Sequence, residues 1–525
     1  MADFPEFILS TTETSKAIAR AVEAKKLREL GSRLYTTNLR DNAEELVKRK
    51  LWDIVAVMVP NAVIVDRTAL ERKPASDGSV FLVGATNRKI ELPGVTLKVR
   101  KGARLPGDDQ PMRFGLYISS QARMLVENMV ASRARSGVAR TAPRHEIEAF
   151  LVQRLRINGE DGLNILRDQI NVVGKALGLE KNAVELDGMI GTLLGTKDVE
   201  LTSPLALSHK MGMPYDSKRI DLFNMMHDVL QGRAPSAPRI SRGNDQDLLH
   251  EAFFESYFSN FIEGTEFEVA EAEDIIFGGR IPTDRPADAH DIRGTFDIVS
   301  SREEMAKTPK STDELLELLK HRHALVMGGR PETNPGEFKT ISNRFGLTSF
   351  VLPEEVLGTL DKGFEIYSRL STPFDRAVFM MFMVAEVHPF TDGNGRSARI
   401  MMNAELAAAN ETRIIIPTIY RSNYLESLSL MTNHGDPDAL IKTLDFAQRY
   451  VHSFEWSNFD QTLKVLKKTH AFIRPEEGDR NGIRLRLPRA VDFAPENDDN
   501  DGRDGSGGGD SGSVSGNEVF RQIAK

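Results

Sequence analysis

The rhythm of apolar and polar positions along this chain changes several times, and each change predicts a different element. From Glu146 to about Leu194 apolar residues recur at three and four, with Ile147, Phe150, Leu151 and Leu155 followed by Leu163 to Leu177. Side chains at that spacing share one helix face, so a helical module is expected there. Leu248–Gly264 has the same periodicity and stops at glycine, as helices do. Ala377–Ala385 has no polar face, which predicts a helix buried all round with its methionines as plain core. Around Asn343–Gly346 short alternating runs predict a β-hairpin.

The N-terminal portion mixes periods. A helix is expected over Thr14–Ala24, paired strands within Lys26–Asn38 and a helix near Asp41–Lys50. Strand-like runs follow at Ile54–Val59, Ala62–Val65, Val80–Val83, Arg88–Leu92 and Val95–Arg100. Residues 131–145 read as a basic connector, and Gln231–Gly243 as a Pro/Ser/Gly connector. The expected class is mainly α with a smaller α+β domain in front. Its expected parts are a basic α+β domain over 1–140, a helical linking module over 141–245 and a larger helical domain over 246–458 that includes helix 248–264. A C-terminal extension over 459–494 and an acidic Gly/Asp/Ser tail over 495–525 complete it, the tail being too poor in apolar residues to pack and so read as disordered.

Composition adds three constraints. The 525 residues hold no cysteine, which excludes disulfides and thiolate metal sites. No apolar run approaches the ~18 residues of a membrane span, and nothing at the start reads as a signal peptide, so a cytoplasmic protein away from membranes is expected. The net charge of −8 conceals an asymmetry, because residues 1–145 carry 25 Lys+Arg against 16 Asp+Glu. That excess makes nucleic acid a candidate partner there, although Arg28, Arg33, Arg40, Arg88, Lys89, Lys98, Arg100 and Lys101 could equally form a solvated basic surface.

The chemistry concentrates in His388-Pro389-Phe390-Thr391-Asp392-Gly393-Asn394-Gly395-Arg396-Ser397-Ala398-Arg399. Pro389 cannot continue the preceding helix, and the glycine-bearing turn opens a new one. The first N–H groups of a helix have no partner within it, so such a turn offers an anion site. Arg396 and Arg399 share a face of the first turn and oppose its dipole, an arrangement that calls for an anion between them. Asp392 supplies one hard oxygen ligand suited to Mg²⁺. His388 is the candidate base, because its ordinary pKa lies nearest neutrality. Phe390 is expected to anchor the loop in the core.

This string matches in full the Fic-family pattern His-Pro-Phe-x-Asp-Gly-Asn-Gly-Arg-x-x-Arg, and the chain from residue 246 onward resembles a Fic-type helical bundle with a β-hairpin flap. The resemblance implies protein adenylylation, in which a Ser, Thr or Tyr hydroxyl of a target protein attacks the α-phosphate of ATP and pyrophosphate leaves. It implies His388 as base and Asp392 as the Mg²⁺ ligand. It further implies Gly393, Asn394 and Gly395 around the phosphates, and Arg396 and Arg399 on the β- and γ-phosphates. Ser259-Asn260-Phe261-Ile262-Glu263-Gly264 is similar to the family's inhibitory pattern, which implies that Glu263 with Ser259 competes with the γ-phosphate for Arg399. In some members that glutamate also serves removal of AMP. Gly336–Pro353 resembles the flap that docks the target, with Lys339, Thr340 and Ile341 along it, and Tyr420 or Tyr424 would border the adenine.

Three other readings stay open. The N-terminal part is similar to abortive-infection antitoxins of toxin–antitoxin systems, whose winged helix binds DNA, but a single helix before the wing speaks against direct base readout. The same site could transfer phosphate or another nucleotide, or serve a nucleic-acid-binding regulator as nucleotide sensor. Association of two copies is also open. His321-Arg322-His323 is read as a polar rim near the flap, because side chains two apart on a helix diverge.

Overall fold

The computed structural model describes residues 4–134, 137–241, 243–345 and 348–493. The tail expected over 495–525 lies outside them, as do positions 346 and 347 of the hairpin. The chain divides into two compact units, Met1–Gly212 and Met213–Lys525.

In the first unit β1 (Phe7–Leu9), α1 (Ser15–Glu23), β2 (Arg28–Gly31) and β3 (Leu34–Thr36) make a helix-plus-hairpin layer, with strand order β1-β3-β2. Ile18, Ala21 and Leu27 close its small core. Then come α2 (Ala43–Arg49), α3 (Leu51–Met58), β4 (Val63–Ile64), α4 (Asp66–Glu71), β5 (Ser79–Gly84), β6 (Arg88–Leu92), β7 (Val95–Lys101), β8 (Gln110–Pro111), β9 (Tyr117–Ile118) and α5 (Gln121–Asn128). Their strands form a six-stranded sheet in the order β6-β7-β5-β4-β9-β8. Of the expected strand at Ile54–Val59, all but the capping Val59 is instead part of α3. Leu51, Ile54, Val55 and Met58 are its buried side chains, at three- and four-residue spacing, so a helical face won over the apolar run. The expected helical stretch is α6 (Arg144–Leu177) and α7 (Glu180–Leu193), followed by α8 (Pro204–Lys210).

The second unit runs through α9 (Ser217–Gly232), α10 (Asp245–Ile262), α11 (Val269–Ile276), α12 (Pro286–Val299), α13 (Arg302–Met305), α14 (Thr312–Met327), β10 (Arg344–Phe345), β11 (Thr348–Ser349), α15 (Val356–Tyr367), α16 (Pro373–Val387) and α17 (Asn394–Ala408). It ends in α18 (Arg421–His434), α19 (Pro437–His452), α20 (Phe459–Lys468) and α21 (Pro475–Asn481). The expected hairpin is present as β10–β11, pairing Arg344 with Ser349 and Phe345 with Thr348.

Helix α16 starts at the Thr372 cap with Pro373 in its first turn. It runs through the core with Val378 to Val384 fully buried, as its sequence lacks any polar face. Phe223 of α9 meets Phe379 and Phe382 at ring-centroid distances of 5.8 and 5.9 Å, and α17 packs back along α16. Helix α10 begins with a capping box, Asn244 accepting from the Gln246 and Asp247 amides while Asp247 accepts from that of Asn244. Its Phe253, Phe254 and Phe258 sink into a second aromatic core with Phe459. Among the described residues no helix is long and apolar enough to cross a membrane.

Close approach of α12 to α14 sets the depth of the site, since these helices carry two of its buried polar groups. Gly294 permits it: a Cβ there would lie 2.5 Å from the Leu325 carbonyl oxygen and 3.2 Å from Val326 Cα, both backbone atoms. Gly294→Ala is therefore expected to force the helices apart at a cost of about 1–3 kcal/mol. Urea unfolding would read this as a lowered midpoint, and an unchanged midpoint would refute the tight fit.

Candidate active site

His388 closes α16 in the left-handed region, φ +52° and ψ +60°, so the chain turns sharply into Pro389. Its Nδ1 donates to the Ala385 carbonyl at 2.9 Å, which leaves the lone pair on Nε2. The Phe350 ring stacks on the imidazole at 3.6 Å and 8°. Burial pushes the pKa down to about 4, against the Ala385 bond and with the help of Lys339, so the ring is neutral at physiological pH.

The turn after His388 is pinned by side chains. Phe390 is fully buried, its amide donating to Asn394 Oδ1 at 2.8 Å. Its carbonyl accepts from Asn394 Nδ2 at 2.8 Å and from Asn343 Nδ2 at 2.9 Å. Gly393 caps α17 at φ +73°, where a Cβ would also strike Met327 Sδ at 2.7 Å. Asn394 is thus a clamp as well as a first-turn residue. Of the three amides expected to face an anion, that of Gly393 donates to Asp392 Oδ1 at 2.7 Å, which leaves those of Asn394 and Gly395. The Asp392 side chain is 56% exposed and its Oδ2 lies 4.0 Å from Arg396 Nη2, so it fits a single hard-oxygen metal ligand.

Both motif arginines are buried and both meet carboxylates. Arg396 Nη1 is paired with Asp291 Oδ2 and lies 3.4 Å from Asn260 Oδ1. Asp291, fully buried, also takes Arg330 Nε at 2.8 Å. Arg399 donates from Nη2 to Glu263 Oε1 at 2.7 Å and to the Ser259 carbonyl at 2.9 Å, and from Nε to Ser259 Oγ at 3.0 Å. Burial opposes its charge, but Glu263 and Tyr424 outweigh that and hold the guanidinium above its ordinary pKa. Glu263 is the cap residue that ends α10, and a Cβ at position 395 would stand 2.2 Å from its Oε1. The carboxylate therefore rests directly on the first turn of α17.

Lys339, Thr340 and Ile341 precede the strand pair rather than lying in it. Lys339 is buried, its Nζ donating to Asn343 Oδ1 at 2.7 Å, and burial lowers its pKa to about 8. Thr340 is exposed and Ile341 is 79% exposed. Tyr424 is closed off at 2% exposure, and Tyr420 packs on Phe446 at 5.3 Å.

Sequence reasoning missed Asp291, Asn260, Phe350 and His323. The rim expected at His321–His323 is corrected for two of its residues: Arg322 and His323 are fully buried, Arg322 donating to Glu304 Oε1 at 3.1 Å. Burial lowers the His323 pKa to about 4. Asn260 sits inside the quoted inhibitory stretch and could have been noticed as a polar residue on an apolar helix. The others carried no local signal, because their partners are remote in sequence.

Residues 312–406 match the model of the Fic/DOC family. Protein adenylyltransferase fic-1 of Caenorhabditis elegans is 28% identical over 178 residues, 32% of this chain and 33% of its own length. Protein adenylyltransferase Fic of Drosophila sechellia is 26% identical over 278 residues, 50% of this chain and 53% of its own. The chain thus spans a third to about half the length of these curated relatives. A solved structure of C. elegans Fic-1 covers 62% of this chain and 90% of that one, at 18% identity and a TM-score of 0.33. The segment 312–406, which holds His388 to Arg399, is a Fic domain of the Fic/DOC family.

Proposed function

We propose that the unit Met213–Lys525 transfers AMP from ATP to a Ser, Thr or Tyr hydroxyl of a protein, and that Glu263 holds this reaction in check. The seat of the Glu263 carboxylate carries the reading. It pairs with Arg399 at 2.7 Å and lies against Gly395, so the chain offers its own anion where unpaired amides and a buried guanidinium favour a phosphate. A carboxylate and a γ-phosphate are alternative partners for one guanidinium.

In the proposed reaction the target oxygen bonds to the α-phosphorus as His388 Nε2 takes its proton, and the bond to the bridging oxygen breaks to release pyrophosphate. Arg396 and Arg399 hold the β- and γ-phosphates, and the Asn394 and Gly395 amides stabilise charge on them. Asp392 would hold Mg²⁺, which when bound neutralises charge on the phosphates. An extended target segment adds to the β10–β11 edge, with Thr340 and Ile341 exposed at its start.

Glu263→Gly is expected to raise label transfer from α-³²P-ATP, with Mg²⁺, by about tenfold or more, since each 1.4 kcal/mol of lost competition is tenfold. An unchanged rate would sink the self-inhibition, and label arriving only from the γ position would make the protein a phosphate-transferring enzyme. Adding His388→Ala should remove about 10²- to 10⁴-fold of that rate.

The pH profile follows from the same imidazole. His388 must be unprotonated to act as base, and its pKa is pushed down to about 4, so kcat/KM in the Glu263→Gly chain should fall only as pH drops through about 4. A limb near the ordinary 6.5 would refute the burial-lowered pKa, and a rate that survives His388→Ala would remove His388 from the base role.

A second reading concerns the first unit, where a cleft of about 460 Å³ gathers Arg88, Lys89, Lys98, Arg100, Arg133 and Arg140. Asp66 also lines it and pairs with Arg100 and Arg140 at 3.4 and 2.7 Å, and the remaining excess of cations favours a nucleic-acid backbone. Anisotropy of a labelled duplex with the full chain should show salt-dependent binding, and Arg133→Glu should reduce the salt slope by about 1. Binding that ignores both salt and the variant would remove this reading.

A further inference from the structure

We propose that His323 is a positioning residue that orients the Asp392 carboxylate through the peptide between Asp392 and Gly393, an inference that rests on the AMP-transfer reading. His323 lies on α14, 69 residues before Asp392, and is fully buried. Its imidazole stacks face to face on Phe390 at 3.7 Å and 4°. Nε2 lies 3.0 Å from the Asp392 carbonyl oxygen, and Nδ1 lies 2.9 Å from the Gly336 amide nitrogen.

These two contacts settle the tautomer. A carbonyl only accepts, so Nε2 carries the hydrogen; an amide only donates, so Nδ1 carries the lone pair. One neutral form satisfies both partners at once.

The Asp392 carbonyl and the Gly393 N–H belong to one planar peptide unit. Fixing the carbonyl therefore fixes the direction of that N–H, and the N–H holds Asp392 Oδ1 at 2.7 Å. The carboxylate is then turned so that Oδ2 stays available to a cation. Groups that orient a ligating side chain in this way commonly matter to metal affinity by about 10- to 100-fold. The Gly336 contact adds a second consequence, because it ties the same ring to the segment leading into Lys339 and the flap.

The test uses the full chain carrying Glu263→Gly, and three further substitutions. His323→Phe keeps a ring on Phe390 and loses both hydrogen bonds. His323→Asn retains a polar group near the Nδ1 position and cannot reach Asp392, whereas His323→Gln retains an N–H of the right reach. The readouts are the Mg²⁺ concentration for half-maximal AMP transfer, kcat and KM for ATP taken separately, melting temperature, and amide hydrogen exchange over residues 388–400 without nucleotide or metal. Phe and Asn at 323 should raise the Mg²⁺ requirement by about 10- to 100-fold and speed exchange around Asp392–Gly395, while Gln stays near the parent. The inference is overturned if the Mg²⁺ requirement and exchange are unmoved, or if all three variants lose activity alike in step with melting temperature. A parent that transfers no AMP would instead count against the proposed function, and the exchange measurement would still decide the role of His323.

Discussion

A buried guanidinium needs a negative partner, and the second unit has to provide for two of them within one helical turn. Arg396 and Arg399 enter the core at the start of α17, where the helix dipole already opposes their charge. The structure answers with two carboxylates of different character. Asp291 is fully buried, serves Arg330 as well as Arg396, and is fixed in place. The Glu263 side chain is 30% exposed, stands at a helix end and serves Arg399 alone among the paired cations described. One counter-charge is sealed in the core, and the other stands at a partly exposed helix end, where the proposed reaction needs a phosphate to take its place. An incoming phosphate can replace only the second without leaving a charge stranded.

This helix end depends on an immobile support. Helix α10 is held along its length by Phe253, Phe254 and Phe258 in the aromatic core. Polar bonds add to this, with Glu255 taking Arg413 at 2.7 Å and Asn403 at 2.8 Å. Gly264 follows Glu263 at φ +89°, a backbone state that side-chain-bearing residues seldom adopt. On the proposed self-inhibition, a carboxylate at the end of a helix held in this way could be displaced without unpacking the core behind it.

The reacting side is organised by backbone-directed clamps rather than by contacts among the motif residues themselves. Asn394 and Asn343 share the Phe390 carbonyl, Ala385 fixes the His388 tautomer, and Phe350 covers one face of the imidazole. Asn343 and Phe350 flank the hairpin, so the β10–β11 segment is tied both to the turn after His388 and to the His388 ring. Arg219 of α9 extends the connection, donating to the Ser349 carbonyl at 2.7 Å.

What the sequence by itself determined was local. The twelve residues from His388 to Arg399 are contiguous, so their turn, the helix start and the chemistry of each side chain could be read in place, and the buried α16 was legible from its lack of a polar face. Helix α3 was misread because a short apolar run fits strand and helix alike, and the buried spacing of Leu51, Ile54, Val55 and Met58 decides only once the core exists. The pairing of Glu263 with Arg399 was accessible through a family pattern and not through spacing, since 136 residues separate them. Asp291, 105 residues from Arg396, left no trace in the sequence, and His323, 69 from Asp392, was noticed only as part of a polar rim, its partner being invisible. A lone Asp or His on an amphipathic helix looks the same whether it meets water or a buried partner, and only tertiary packing removes the water and makes the partner obligatory.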